Sequence, residues 1–128
     1  MERLVTRAII LDENKKVLLG RRAGGIGANQ WALVGGKPDE NETPETAVMR
    51  EVVEELGVRF INVQFCSEAV NRETDWKTYF FTWSIEGVLD LNPNEILEIR
   101  YVTETDLDML DIAFDHKERL MEFFKNVL

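Results

Sequence analysis

The sequence predicts an α+β domain in which helices pack on a mixed β-sheet. Three observations lead to this class: apolar, β-branched-rich stretches open the chain, a well-capped helix follows them, and further strand-like stretches precede a last amphipathic helix. Elements in this order bury their apolar faces in an α/β/α layered arrangement. The length of 128 residues is typical of one domain, which we expect to cover residues 1–128.

Six apolar stretches, rich in β-branched or aromatic residues, predict the strands. They are residues 4–11, 17–22, 31–34, 59–70, 76–85 and 99–102. The polar segment 12–16 predicts a hairpin between the first two strands, and residues 71–75 predict a second hairpin loop. The glycine-rich segment 23–30 is too flexible for a strand and predicts a loop.

The helices are predicted from caps and periodicity. Residues 44–56 follow Thr43, a suitable N-cap, and precede Gly57, a suitable C-terminal stop. Residues 104–110 and 115–127 also have helical patterns.

Charge and cysteine content exclude several function classes. Lys and Arg total 15 against 24 Asp and Glu, a net charge of −9 that opposes binding to a nucleic-acid polymer. Arg7 and Asp12 interrupt and end the first apolar stretch, so we expect no signal peptide and no membrane span. Cys66, the one cysteine, cannot form an intrachain disulfide, which favours a reducing, cytoplasmic location.

The helix predicted at 44–56 carries an acidic face. At about 100° per residue, Glu51, Glu54 and Glu55 share one arc. Like charges at this spacing repel, so the pattern favours a hard cation such as Mg²⁺, although solvated surface glutamates are the alternative. The separate apolar arc comprises Val48, Met49, Val52, Val53 and Leu56.

The segment around this helix matches a known motif. Residues 36–58 read GKPDENETPETAVMREVVEELGV and fit the pattern Gx5Ex7REUxEExGU, in which U is aliphatic. On this motif the chain resembles the Nudix hydrolase family, and the preceding LLGRRAGGIGANQWALVGGK is similar to that of MutT-like members. The resemblance implies the Nudix fold, an α/β/α sandwich with a mixed β-sheet, and an enzyme that uses Mg²⁺, or Mn²⁺, to hydrolyse phosphoanhydrides.

The resemblance also implies roles for the motif residues. It implies that Glu51, Glu54 and Glu55 bind the divalent metal. The Gly35 carbonyl is implied as a further ligand, and Arg50 is implied to orient Glu51.

Acidic residues outside the acidic helical face complete the implied site. Glu42 is the remaining acid of the motif, and Glu95 is favoured over Glu98 as an acid beyond it. The general base stays open between Glu51, Glu95 and Glu98.

We expect the substrate to be a small phosphorylated nucleotide. Family analogy favours a nucleoside triphosphate, including a noncanonical or oxidised one, cleaved to a nucleoside monophosphate and pyrophosphate. The alternatives are a nucleotide sugar or dinucleoside polyphosphate as substrate, or a nucleotide-binding module without turnover. We expect a monomer or a homodimer.

Basic and aromatic residues near the motif are the candidate substrate contacts. Arg21, Arg22 and Lys37 could donate to phosphate, although a salt bridge on a strand edge is an equal alternative for one arginine. Trp31 and Tyr79 could stack on a base, although aromatic residues on strands more often belong to the core.

His116 lies outside the motif and lacks partner ligands in sequence. We therefore expect it at the surface rather than in catalysis.

Overall fold

The computed structural model describes residues 3–71 and 74–128. Its strands are β1 (Leu4–Ile10), β2 (Val17–Arg22), β3 (Trp31–Ala32), β4 (Val34–Gly36), β5 (Arg59–Val70), β6 (Lys77–Glu86) and β7 (Ile96–Val102). Its helices are α1 (Pro44–Leu56), a 3₁₀ helix (Thr105–Met109) and α2 (His116–Asn126).

The strands form two sheets. The first has the order β4-β1-β6-β5 and is mixed, because β1 runs parallel to β6 while the other neighbours are antiparallel. The second is antiparallel, with the order β3-β2-β7. The predicted hairpin between β1 and β2 therefore spans two sheets, and a single bridge between Leu11 and Val17 joins the strands at the turn.

The two helices cover opposite faces of the first sheet. In β1, Ala8 and Ile10 pack in the core beneath α1, whereas Ile9 packs in the core with Leu120 of α2. This alternation follows from the two-residue period of a strand. The predicted α+β class and α/β/α sandwich are thus confirmed.

Helix α1 begins and ends where its caps predict. The Thr43 hydroxyl accepts a hydrogen bond from the Thr46 amide at 3.2 Å. Gly57 adopts a left-handed φ of 69° and donates its amide to the Val53 carbonyl at 2.9 Å.

The buried face of α1 differs from the predicted apolar arc. Met49 and Val53 are 40% and 51% exposed, whereas Glu55 is buried. The helix is rotated so that this carboxylate, rather than those two apolar side chains, faces the first sheet. The residues that α1 buries are Ala47, Val48, Val52, Glu55 and Leu56.

Other boundaries also differ from the predictions. The predicted strand 31–34 divides at Leu33 into β3 and β4, which belong to different sheets. Strand β7 begins at Ile96, three residues before the predicted start, and the predicted helix 104–110 is a 3₁₀ helix. Residues 72 and 73 of the predicted loop 71–75 lie outside the described residues.

Within the described ranges, none of the helices has the length and apolar character needed to cross a membrane.

Candidate active site

Arg50 organises the acidic face of α1. Its Nε and Nη2 donate to the two carboxylate oxygens of Glu42, each at 2.9 Å. Its Nη1 donates to Glu51 Oε1 at 3.0 Å and to Glu54 Oε2 at 3.1 Å. One guanidinium therefore fixes three carboxylates of the motif.

Glu42 serves this arrangement as an anchor. The Arg50 hydrogen bonds, together with one from the Asp39 amide at 2.8 Å, lower the pKa of Glu42 to about 2. The same bonds, those of Glu42 first, raise the pKa of Arg50 above its ordinary value. The pair is thus ionised at neutral pH and holds Arg50 in place.

Glu55 is the inner acid of the face. It is 5% exposed, and its Oε2 accepts a hydrogen bond from the Gly35 amide at 3.0 Å. Burial raises the pKa of Glu55 well above its usual range, and the charge of Glu51 adds to this, while Arg7 and the amide oppose it. Burial also raises the pKa of Glu51, against the hydrogen bond from Arg50. Ionising both acids together is therefore costly, and their carboxyl oxygens are concentrated where α1 meets β4.

The paired glycines of β4 permit this close approach. A Cβ on Gly36 would lie 2.5 Å from Glu51 Oε1. Gly35 has a φ of +151°, and a Cβ there would overlap the Thr6 carbonyl oxygen. These positions let the backbone of β4 lie directly beneath the acids.

The donor set suits a hard cation, although the side chains do not yet form a closed site. As they stand, no three Asp, Glu, His or Cys side chains in the described chain are grouped closely enough to hold a metal ion. Glu54, with a side chain 53% exposed, is turned toward Arg50. The all-oxygen donor set fits Mg²⁺, which takes oxygen ligands. The Glu54 side chain is more than half exposed to solvent rather than packed in the core.

The two acids considered outside the motif have different surroundings. Glu95 and Glu55 line one cavity of about 230 Å³, and the charge of Glu95 acts on Glu55. Glu98 instead accepts a hydrogen bond from Arg21 Nε at 2.7 Å on the surface. The geometry therefore supports Glu95 over Glu98 as the acid outside the motif that lies near Glu55.

A larger cavity of about 440 Å³ opens on the face of the first sheet that α2 covers. We call it the ring cavity. Arg22 lies 5.0 Å from the centroid of the Phe114 ring, and Lys37 Nζ lies 4.7 Å from that of Trp76. Both pairs line the ring cavity, so it offers cations and aromatic walls together. Arg7 and His116 also line it.

Three of the predicted substrate contacts lie elsewhere. Trp31 packs against the core beneath α2, and Tyr79 packs against the core beneath α1, edge-to-face with Phe65 at 5.8 Å. Arg21 is engaged by Glu98. Of the five predicted contacts, the cavity thus contains Arg22 and Lys37.

The prediction of a surface position for His116 is wrong. His116 is 3% exposed, and its Nδ1 accepts a hydrogen bond from the Leu33 amide at 3.1 Å. Burial, followed by the charges of Arg7 and Arg22, lowers the pKa of His116 well below its ordinary value. It is therefore a neutral histidine whose proton is on Nε2.

Sequence reasoning did not identify Arg7, Phe114 or Trp76 as site residues. The signal for Arg7 was present, because a charge at an inward position of an apolar strand is costly without a purpose. Phe114 lies in a turn, where no periodicity marks it, and Trp76 is the residue before β6, at the start of a predicted strand.

Comparison with known proteins places this arrangement in a family. The family model described as NUDIX domain matches residues 1–123. Nucleoside triphosphatase NudI from Enterobacter sp. (strain 638) is 31% identical over 118 residues, which cover 80% of this chain and 84% of that protein. An 8-oxo-dGTP diphosphatase from Escherichia coli K12 is 45% identical over 51 residues, 39% of this chain.

The chain spans only part of several curated relatives: 40% of the E. coli protein and 35% of a mouse oxidized purine nucleoside triphosphate hydrolase. Among solved structures, the MutT NUDIX hydrolase from Burkholderia pseudomallei superposes with a TM-score of 0.76 at 25% identity, covering 100% of this chain and 99% of that one. The family model, the fold and the acidic helix agree, and the chain therefore belongs to the NUDIX family.

Proposed function

We propose that the protein is a divalent-metal-dependent hydrolase that cleaves a nucleoside triphosphate to a nucleoside monophosphate and pyrophosphate. One observation carries this proposal: the acids of α1 meet β4, and Arg22 lines both the cavity that contains Glu55 and the ring cavity, which combines basic side chains with aromatic walls. Such a site suits a ligand that carries both an anionic chain and a flat ring. The names of the NudI and 8-oxo-dGTP diphosphatase relatives support the same substrate class.

The metal site is proposed on α1 and β4. Glu51, Glu54 and Glu55 would supply carboxylate oxygens, and Gly35 would supply its carbonyl to Mg²⁺, or to Mn²⁺. When bound, the ion polarises a phosphoryl oxygen, lowers the pKa of a water molecule and neutralises charge on the departing phosphate.

The remaining steps belong to the protein's own side chains. Arg22 and Lys37 bind the phosphates and Trp76 and Phe114 hold the ring. The oxygen of a water molecule forms a bond to the α-phosphorus of the nucleotide. The bond from that phosphorus to the oxygen bridging the α- and β-phosphates breaks, and pyrophosphate leaves. The proton of the water passes to a carboxylate.

Glu51 or Glu95 is proposed as that general base. Arg50 fixes Glu51 by the 3.0 Å hydrogen bond to its Oε1, and Glu95 lines a cavity with Glu55. Glu98 is disfavoured because Arg21 engages its carboxylate.

A product analysis tests the proposal. The purified chain is incubated with Mg²⁺ and a panel of nucleoside triphosphates that includes oxidised ones, and pyrophosphate and monophosphate are measured. Equal amounts of both products support the proposal. Two monophosphates from a nucleotide sugar or dinucleoside polyphosphate, with triphosphates untouched, would support the alternative substrate class instead.

A pair of variants on α1 separates catalysis from binding. Glu54→Gln is expected to lower hydrolysis by about 100-fold or more, because it removes a charge that would stabilise the reacting phosphate through the metal. Glu45→Gln, an exposed first-turn position on the same helix, is the matched control and keeps activity. Unchanged hydrolysis in Glu54→Gln would contradict the proposal, and metal-independent nucleotide binding without turnover would favour a binding module.

We also propose a reducing, cytoplasmic location and a monomer or homodimer. The location is supported by Cys66, which is a free thiol. Size-exclusion chromatography with light scattering tests the oligomeric state.

A further inference from the structure

Arg7 is a buried cation that the fold does not fully satisfy. Its side chain leaves β1 on the face that α2 covers, and the residue is 8% exposed. Its Nη1 donates to the Leu33 carbonyl at 3.0 Å, while its Nε has no hydrogen-bond partner. None of the ion pairs in the described chain includes Arg7. A buried guanidinium with an unpaired N–H is costly, and Arg7 is in this condition at the wall of the ring cavity, where a ligand could bind it.

The charge of Arg7 persists despite burial. Burial lowers the pKa of Arg7 to about 10, and the positive charge of Arg22 adds to this, whereas Glu55 and other acids oppose it. The group is therefore cationic at neutral pH. It lies 5.4 Å from the centroid of the Phe114 ring, inside the wall of the ring cavity.

The neighbours of Arg7 in the ring cavity add donors of the same kind. His116 uses Nδ1 to accept from the Leu33 amide, which leaves its Nε2 proton as a donor. Asp115, the acidic residue of the lining, is paired with Arg119, whose Nε lies 3.5 Å from Asp115 Oδ2. The inner wall thus favours a ring edge that presents hydrogen-bond acceptors.

We propose that Arg7 determines base specificity by selecting a nucleobase with a carbonyl oxygen at position 6 over one with an amino group there. This inference rests on the proposed function, because it assigns the ring cavity to the base. A 6-oxo purine offers an acceptor to the guanidinium, whereas adenine turns an amino donor toward a cation. Guanine, 8-oxoguanine and hypoxanthine share the selected group.

A structural role for Arg7 has a different signature. Its charge lies near Glu55, so it could serve only as a buried counter-charge that keeps β1 and β4 together. In that case Arg7→Lys would preserve the charge and behave as the unaltered protein. Arg7→Met would then lower thermal stability and depress turnover of every nucleotide equally.

The experiment compares inosine and adenosine triphosphates, which differ only at the position-6 group and the adjoining ring nitrogen. For the unaltered protein, kcat/KM is expected to favour the inosine nucleotide by about 10- to 100-fold, as a well-matched arginine contact provides. Arg7→Met should bring the ratio close to one, and Arg7→Lys should give an intermediate ratio, since lysine keeps the charge without the planar fork. Arg59→Met, an exposed arginine on β5, is the control and should keep the full ratio.

Several results would overturn the inference. They are a ratio near one in the unaltered protein, a ratio unchanged in Arg7→Met, and a ratio in Arg7→Lys equal to that of the unaltered protein. If Arg7→Met does not fold, Arg7→Lys alone decides between the two roles.

Binding of the monophosphates separates this inference from the proposed function. Inosine and adenosine monophosphates are titrated calorimetrically against the same proteins in the absence of metal. If no triphosphate is hydrolysed, the proposed function fails, and a preference for the inosine monophosphate that Arg7→Met abolishes still supports the role of Arg7. Equal binding of the two, or binding of neither, contradicts it.

Discussion

Substitution of Gly36 by alanine should reduce catalysis with little effect on folding. A Cβ at this position would lie 2.5 Å from Oε1, 2.6 Å from Cδ and 2.9 Å from Oε2 of Glu51. Ordinary van der Waals contact begins near 3.4 Å, so the Glu51 carboxylate must retreat by about 0.9 Å. The obstruction meets the free end of a side chain rather than backbone, and the strands can therefore keep their places.

The two consequences of this retreat differ greatly in size. Losing the Arg50–Glu51 hydrogen bond at the rim of the site lowers the free energy of unfolding by about 1 kcal/mol. The lower conformational entropy of the unfolded alanine variant raises the same quantity by about 0.4–1 kcal/mol. The melting temperature should therefore change by a few degrees at most. A catalytic group displaced by about 1 Å can lower the rate by about 100-fold.

The assay combines pyrophosphate release with thermal unfolding in the same buffer. Gly35→Ala is the contrasting variant, because its Cβ would overlap the Thr6 backbone at a φ of +151° and should cost about 3 kcal/mol or more of stability. Full activity in Gly36→Ala would refute the reasoning that Glu51 must occupy its observed position. So would a loss of stability equal to that of Gly35→Ala.

Three further outcomes are expected. Without nucleotide, millimolar Mg²⁺ should stabilise the protein over EDTA by about 1–3 kcal/mol in thermal unfolding, and identical midpoints would contradict the proposed cation site. Because the pKa of Glu42 is lowered to about 2, its contribution to the free energy of unfolding should be complete above pH 4.5 and lost as the pH falls toward 2. The free energies of unfolding of Glu42→Gln and of the unaltered protein, measured in urea, should therefore become equal in acid. A difference that stays constant with pH would argue against the ion pair. Because the pKa of His116 is lowered, the unfolded chain binds its proton first, so stability should fall as the pH drops below 6.5, by at most about 1.4 kcal/mol per pH unit. His116→Gln should reduce that slope in urea titrations between pH 7.5 and 5, and an unchanged slope would place its origin elsewhere.

The caps and the motif made α1 predictable, but its orientation was not. Thr43 and Gly57 are local signals and fix the helix ends without help from the rest of the fold. A helical projection places Met49 and Val53 inside because it counts only polarity. Glu55 takes the inner position instead, since a partner from another strand, the Gly35 amide, is present there.

The candidate site was predictable where the chemistry lies in one segment. The acids and Arg50 occupy consecutive turns of one helix, so their proximity follows from the helical repeat. The ring cavity is assembled from segments that are distant in sequence. The hydrogen bond between the Leu33 amide and buried His116, for example, joins residues 83 apart. Arg7 belongs to the same long-range set, and the sequence offered only its charge within an apolar strand.

Leu33, where the chain passes from one sheet to the other, connects the two ends of the proposed site. Arg7 donates a hydrogen bond to the Leu33 carbonyl, and the Leu33 amide donates to His116. Two residues later, the Gly35 amide donates to Glu55. A nucleobase that binds well and fixes the position of Leu33 would also fix the position of Glu55. A poorly matched base would leave both residues free to move. Discrimination between bases should then be visible in kcat as well as in KM, because recognition would help to assemble the reacting groups.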